Sequence, residues 1–158
     1  MNGRSQVWRW TVGIVGPVAV MAATSGCALA GVGVEPLSQP VRLSQLVGHW
    51  TADSRCPHTT MDLAADGSGR VRRFPIDDAP DLLQVTRTAT GPVSWRQDPG
   101  LAGTDIPASV QLTLGTDGYA LDYGRDGHGF VLVATVGDPD DGVACVYHRS
   151  PAQPTGGR

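Results

Sequence analysis

The chain has 158 residues, room for one domain with a real core, of which about 130 remain once an N-terminal export signal is set aside. All 12 basic residues are Arg and 14 of the 15 acids are Asp, so Lys and Glu, two good helix formers, are almost missing, while 21 Gly and 12 Pro interrupt the chain often. Beyond Cys27 ten Arg stand against fifteen acids, a formal charge of −5, which argues against a nucleic-acid partner because phosphate binding needs clustered basic residues.

Residues 1–10 carry Arg4 and Arg9 and no acid, and residues 12–23 form an uncharged apolar run. That run has the length of the hydrophobic part of an export signal and falls short of the roughly 20 residues of a membrane-spanning helix. Three readings of the adjoining segment stay open. Thr24-Ser25-Gly26-Cys27 resembles the lipobox of bacterial lipoproteins, with Thr24 where Leu is usual; the resemblance implies acylation of Cys27, which becomes the mature N-terminus. Ala28-Leu29-Ala30 is an A-x-A site that would release a soluble, secreted protein cut after Ala30. The third is an uncleaved anchor. The lipobox is the reading taken, so the domain sits on the outer face of the cytoplasmic membrane with the lipid bilayer as its partner through Cys27; every reading places the remainder outside that membrane.

The expected organisation is a lipoprotein signal at 1–27, a flexible tether at 28–42, a β-domain at 43–150 and a disordered Pro/Gly tail at 151–158. Residues 43–47 suggest one helical turn with Ser44 as its N-cap, before Gly48-His49-Trp50 opens the first strand. Residues 61–64 and 70–74 flank Ala65-Asp66-Gly67-Ser68-Gly69, a hairpin with Asp-Gly at its tip. Arg70, Arg72 and Arg73 on its second arm read as a solvated sheet face, ahead of an anion site. Residues 77–83 suggest a helical turn. Residues 85–89 and 93–96 read as two strands joined at Thr90-Gly91-Pro92.

Val110, Leu112 and Leu114, then Tyr119, Leu121 and Tyr123, alternate with polar or small residues, which gives two strands with one wet face each. Residues 124–129 read as a flexible hairpin loop. The run at 130–136 is apolar on both faces, so the strand is central or has its second face covered by a partner or ligand. Residues 143–148 complete about eight strands. The fold class is all-β, a single small antiparallel meander or barrel.

Cys27, Cys56 and Cys145 are an odd set for an exported protein. Acylation or cleavage removes Cys27, leaving Cys56 and Cys145 as a disulfide pair that joins the segment after the first strand to the last strand. The competing reading is a zinc site from Cys56, His58, Cys145 and His148. It is weaker because Cys145 and His148 point to opposite faces of a strand. Neither a metal nor any other cofactor is expected. The acidic run Asp138-Pro139-Asp140-Asp141-Gly142 lacks the spacing of a calcium loop and reads as a turn. No nucleophile elbow, H-E-x-x-H or phosphate-binding loop is present, so no catalytic residue is assigned.

Leu46-Val47-Gly48-His49-Trp50-Thr51 resembles the G-x-W opening of lipocalin-type barrels. The resemblance implies a lipocalin-like fold with Gly48 and Trp50 at the barrel base. The stretch at 137–142 followed by a Tyr-bearing strand ending in Arg149 is similar to the close of small exported actinobacterial lipoproteins, a group with no assigned activity. The expected function is therefore a tethered, non-catalytic β-domain that binds a small apolar ligand or a cell-envelope partner. The alternatives are a structural or interaction protein with a filled core and, third, an extracytoplasmic hydrolase.

Overall fold

A computed structural model describes residues 31–76, 85–101, 104, 106–137 and 143–151. The segment expected to be an export signal with Cys27, residues 77–83, the acidic run at 138–142 and all of the tail after Pro151 lie outside the described residues. Alternating inward and outward side chains produce nine strands: β1 (Glu35–Pro36), β2 (Gly48–Ala52), β3 (Thr60–Leu63), β4 (Ser68–Pro75), β5 (Thr88–Asp98), β6 (Ser109–Leu114), β7 (Asp117–Asp126), β8 (Gly129–Val136) and β9 (Val143–Arg149). A four-residue helix, α1 (Leu43–Leu46), precedes β2.

From β2 to β9 each strand pairs antiparallel with the next, and β9 returns to β2 with Trp50 opposite Arg149 and Ala52 opposite Tyr147. The result is a closed eight-strand, lipocalin-like barrel. Closure leaves no free edge between its first and last strands. The starts of β2, β4, β6 and β8 define one end, called the base; the opposite end is called the mouth.

One cluster fills the interior, from Leu46, Trp50 and Met61 through Phe74 and Trp95 to Tyr123, Leu132, Cys145 and Tyr147. A second, smaller cluster lies outside the wall, where Val131, Val133, Ala144 and Val146 are covered by Val34 and, at its margin, Val32. The doubly apolar face of β8 is thus buried by the protein's own N-terminal segment. Gly124 makes this possible, because a Cβ there would run into the Val34 side chain. Part of the stretch expected as a tether is consequently docked: β1 pairs with β7, extending the side of β7 that β6 leaves, and the Leu37 N–H donates to the Tyr123 carbonyl at 2.9 Å.

Three local expectations are corrected. The N-cap of α1 is Arg42, whose backbone N–H donates to Gln45 Oε1 at 3.2 Å, and Ser44 lies inside the helix. Thr90-Gly91-Pro92 does not turn the chain; β5 runs straight through it, with Gly91 opposite Val71 and Pro92 opposite Arg70. The loop expected at 124–129 shrinks to Gly127-His128, since β7 extends to Asp126 and β8 begins at Gly129.

Candidate functional site

Three regions hold the chemistry of this barrel: its base, its mouth and its outer wall along β2 to β4. At the base, Trp50 is fully buried and its Nε1–H donates to the Leu46 carbonyl at 2.8 Å, four residues back, so the aromatic ring locks α1 over the barrel end. Gly48 takes φ +144°, a region open to glycine, and the Arg149 guanidinium lies against its Cα. The same Arg149 donates from Nη1 to the Ser44 carbonyl at 3.1 Å, tying the last strand to α1. Trp95 Nε1–H is shared between the Ala64 and Ser68 carbonyls of the β3–β4 hairpin, each at 3.0 Å. Tyr123 donates its hydroxyl to the Ser109 carbonyl at 2.9 Å, and burial pushes its ionisation up. Phe130 meets Trp50 edge-on at 6.0 Å and Tyr123 at 5.8 Å between ring centroids, completing an aromatic layer.

At the mouth, the turn after β2 is tied into the barrel by the Cys56–Cys145 disulfide, with Cα atoms 5.6 Å apart. Both sulfurs are buried and consumed by the bond, so they do not serve a metal. Above the base layer lies a second aromatic group, in which Phe74 meets Tyr119 edge-on at 5.3 Å and stacks on Tyr147 at 6.4 Å. The Tyr147 hydroxyl is buried without a hydrogen-bond partner among the described residues, and burial drives its ionisation far upward. An unpaired buried hydroxyl costs about 1–3 kcal/mol, so this atom is a local weakness in an otherwise apolar layer.

The outer wall carries a row formed by His49, Asp62 and Arg70 on adjacent strands. His49 Nδ1 and Asp62 Oδ1 lie 2.6 Å apart. They border a shallow depression of about 400 Å³ with Ser68, Gly69 and Arg70 on its other side. Gly69 is required there, because a Cβ would come within 2.6 Å of the Asp62 carbonyl oxygen. A Ser, a His and an Asp therefore share one depression, but Ser68 Oγ donates to Asp66 Oδ1 at 2.6 Å. That bond, followed by the one from the Ser68 backbone N–H, holds the Asp66 carboxyl below its ordinary range. The serine is thus oriented by a hairpin-tip acid, and the His49–Asp62 pair is not aligned on it as a nucleophile–base set requires.

Along β4 the register shifts between Val71 and Phe74, a β-bulge that keeps both of these residues inside and leaves Arg72 and Arg73 both exposed. Arg73 adopts φ +52°, a left-handed conformation that costs a non-glycine residue about 1–2 kcal/mol. Two hydroxyls clamp it: Thr90 Oγ1 accepts from the Arg73 N–H at 2.9 Å, and Thr59 Oγ1 donates to the Arg73 carbonyl at 3.0 Å. Thr59 is itself buried in the disulfide-bonded turn. None of Arg70, Arg72 and Arg73 forms an ion pair among the described residues.

Elsewhere, His128 and His148 meet edge-on at 5.8 Å, and Asp126 Oδ2 lies 3.7 Å from His148 Nδ1. The Asp126 carboxylate is taken up by the His128 and Gly129 backbone N–H groups at 2.8 and 3.1 Å. Among the described residues no group of three or more His, Cys, Asp or Glu is arranged to hold a metal ion. Asp122, with Ser109 and Val133 as cross-strand neighbours, has its carboxyl pushed above the ordinary range by burial.

The structure joins Cys56 to Cys145, as expected from the sequence, and places Gly48 and Trp50 at the end of the barrel where β2 begins. Sequence reasoning missed the Tyr147 hydroxyl and the Arg73 bulge, for which no local signal exists in the chain. No protein family, curated protein or solved structure matches this chain.

Proposed function

We propose that the protein is an exported, lipid-anchored and non-catalytic β-barrel, held to the outer face of the cytoplasmic membrane through acylated Cys27, that meets a cell-envelope partner through its outer wall. The observation that carries this reading is the filled interior: Trp50, Tyr123, Phe74 and Tyr147 are all essentially without solvent exposure, and their two aromatic layers occupy the space a carrier barrel would give to a ligand. The disulfide supports export, because such bonds persist in oxidising compartments. The engagement of Ser68 by Asp66 favours a non-catalytic reading over a hydrolase.

A second reading, a small apolar ligand with one polar atom, is favoured by one observation, the unpartnered Tyr147 hydroxyl beneath the mouth. Native mass spectrometry of the full chain extracted from its own membrane separates the two. The expected spectrum is a chain beginning at acylated Cys27, lighter by the two hydrogens of one disulfide, with no further mass. A retained small molecule that Tyr147→Phe releases would replace the first reading with the second. Cys27→Ser is expected to leave the membrane fraction, and its retention there would remove the lipid anchor.

A further inference from the structure

We propose that the outer wall along β4 docks a linear polyanion of the cell envelope, a non-protein polymer bearing phosphate or carboxylate groups, through Arg70, Arg72 and Arg73. The inference rests on the reading of the barrel as a binding module that works through its outer wall, and it names the partner's chemistry.

The exported chain carries a formal −5, yet one strand of eight residues concentrates three arginines and no acid. Arg70 and Arg72, two residues apart on one face, repeat at about 7 Å along the strand. In regular alternation Arg73 would turn into the barrel. The bulge instead places it outside beside Arg72 in a left-handed backbone conformation, and two hydroxyl clamps hold it there. Backbone strain of this kind persists where the surroundings enforce it and concentrates at functional positions. Asp62, the acid directly opposite Arg70, is engaged by His49 at 2.6 Å. Among the described residues the three guanidinium forks have no carboxylate partner, and such forks bind an external oxyanion in paired hydrogen bonds.

The surroundings favour a polymer over a protein or a bilayer. Besides the His49–Asp62 pair, the neighbouring outward residues on β2, β3 and β5 are Thr51, Thr60, Thr90 and Ser94, with Pro92 among them. The exposed large hydrophobics among the described residues, Leu43, Leu101 and Ile106, lie on α1 and the β5–β6 connection. A protein partner is normally anchored by a buried aromatic or aliphatic centre, which this wall does not offer. The N-terminal segment docks on β7 and β8, and β4 stands four strands from β8 in either direction around the barrel. The arginines therefore face away from the wall that carries the anchored end.

The test uses the full chain in detergent micelles, titrated by calorimetry with a synthetic poly(glycerol phosphate) and, in a separate arm, with polygalacturonate. Saturable binding of at least one, weakening as salt rises, is expected. The arm that binds identifies phosphate or carboxylate as the oxyanion. Replacing Arg70, Arg72 and Arg73 together by Ala is expected to weaken binding by about tenfold or more, while Arg125→Ala near the end of β7, three strands away, leaves it unchanged. Arg73→Gly relieves the left-handed backbone, so its midpoint of thermal unfolding is expected to hold or rise while affinity falls. A bulge with a purely structural role would leave affinity untouched in that variant and would overturn the assignment. So would equal losses for Arg125→Ala and the triple variant, binding to neither polymer, or binding to phosphatidylglycerol vesicles in preference to both. Since the titration reads the outer wall, a ligand found inside the barrel would alter the proposed function without altering this result.

Discussion

The base and the mouth of the barrel solve the same problem, how to close a short eight-strand cylinder, by different means. At the base, closure is hydrogen-bonded: Trp50 reaches the carbonyl four residues back, Trp95 holds the β3–β4 hairpin, Tyr123 is bonded to Ser109, and Arg149 reaches the Ser44 carbonyl from the far end of the barrel sequence. Each aromatic polar atom has a backbone carbonyl. The mouth is closed covalently across 89 residues by Cys56 and Cys145, and its central tyrosine hydroxyl has no partner. The hydrogen bonds of the base form only as the chain folds, whereas a covalent tie between distant residues also reduces the freedom of the unfolded chain.

The sharpest way to break this contrast is to remove the tie. Replacing Cys56 and Cys145 together by Ser is expected to cost about 4 kcal/mol in the chain-entropy treatment, read as a lowered denaturation midpoint. Hydrogen exchange should then quicken at the mouth turn, residues 53–59, before it does at the base. Uniform loss of protection would mean that the two ends are one cooperative unit. Next in size, Trp50→Phe should cost about 2 kcal/mol, since it both shrinks a buried ring and leaves the Leu46 carbonyl unbonded; urea unfolding measures it. A cost near zero would show that α1 is not held by that bond.

The smallest effects make the finest comparison. Tyr123→Phe removes a satisfied hydroxyl and should cost about 1 kcal/mol, while Tyr147→Phe removes an unsatisfied one and should be neutral or stabilising. Thermal unfolding of the pair side by side reads the difference. If both variants lose the same stability, the Tyr147 hydroxyl has a bonded partner in solution and the contrast between the ends disappears.

Much of this architecture was legible from residues. The alternation in β6 and β7 survives because each has one wet face, and the pairing of Cys56 with Cys145 is natural once Cys27 is set aside. The Asp66-Gly67 tip also stands where turn chemistry put it. What failed were features decided by a distant partner. Thr90-Gly91-Pro92 carries strong local turn chemistry, but β5 continues because the bulge in β4 receives the Thr90 hydroxyl. Val34 and Glu35 look like linker residues until β8 and β7 supply an apolar wall and an open edge. At the candidate site, Arg70, Arg72 and Arg73 were read together as a solvated face, and all three are exposed. The bulge that lets Arg73 share that face with Arg72 depends on a backbone conformation that no residue preference announces, since Arg is a poor choice for it.

The docking of Val34 on the barrel wall also sets a leash length. With Cys27 acylated as proposed, six residues separate the anchor from Val34 on the domain, a reach of at most about 25 Å over seven Cα–Cα steps. The domain then occupies a thin layer above the bilayer, with its docked wall turned towards the surface and its arginine wall turned outward. Anything fixed in that layer is met at an effective concentration set by the leash, and anything farther out must extend down to the protein.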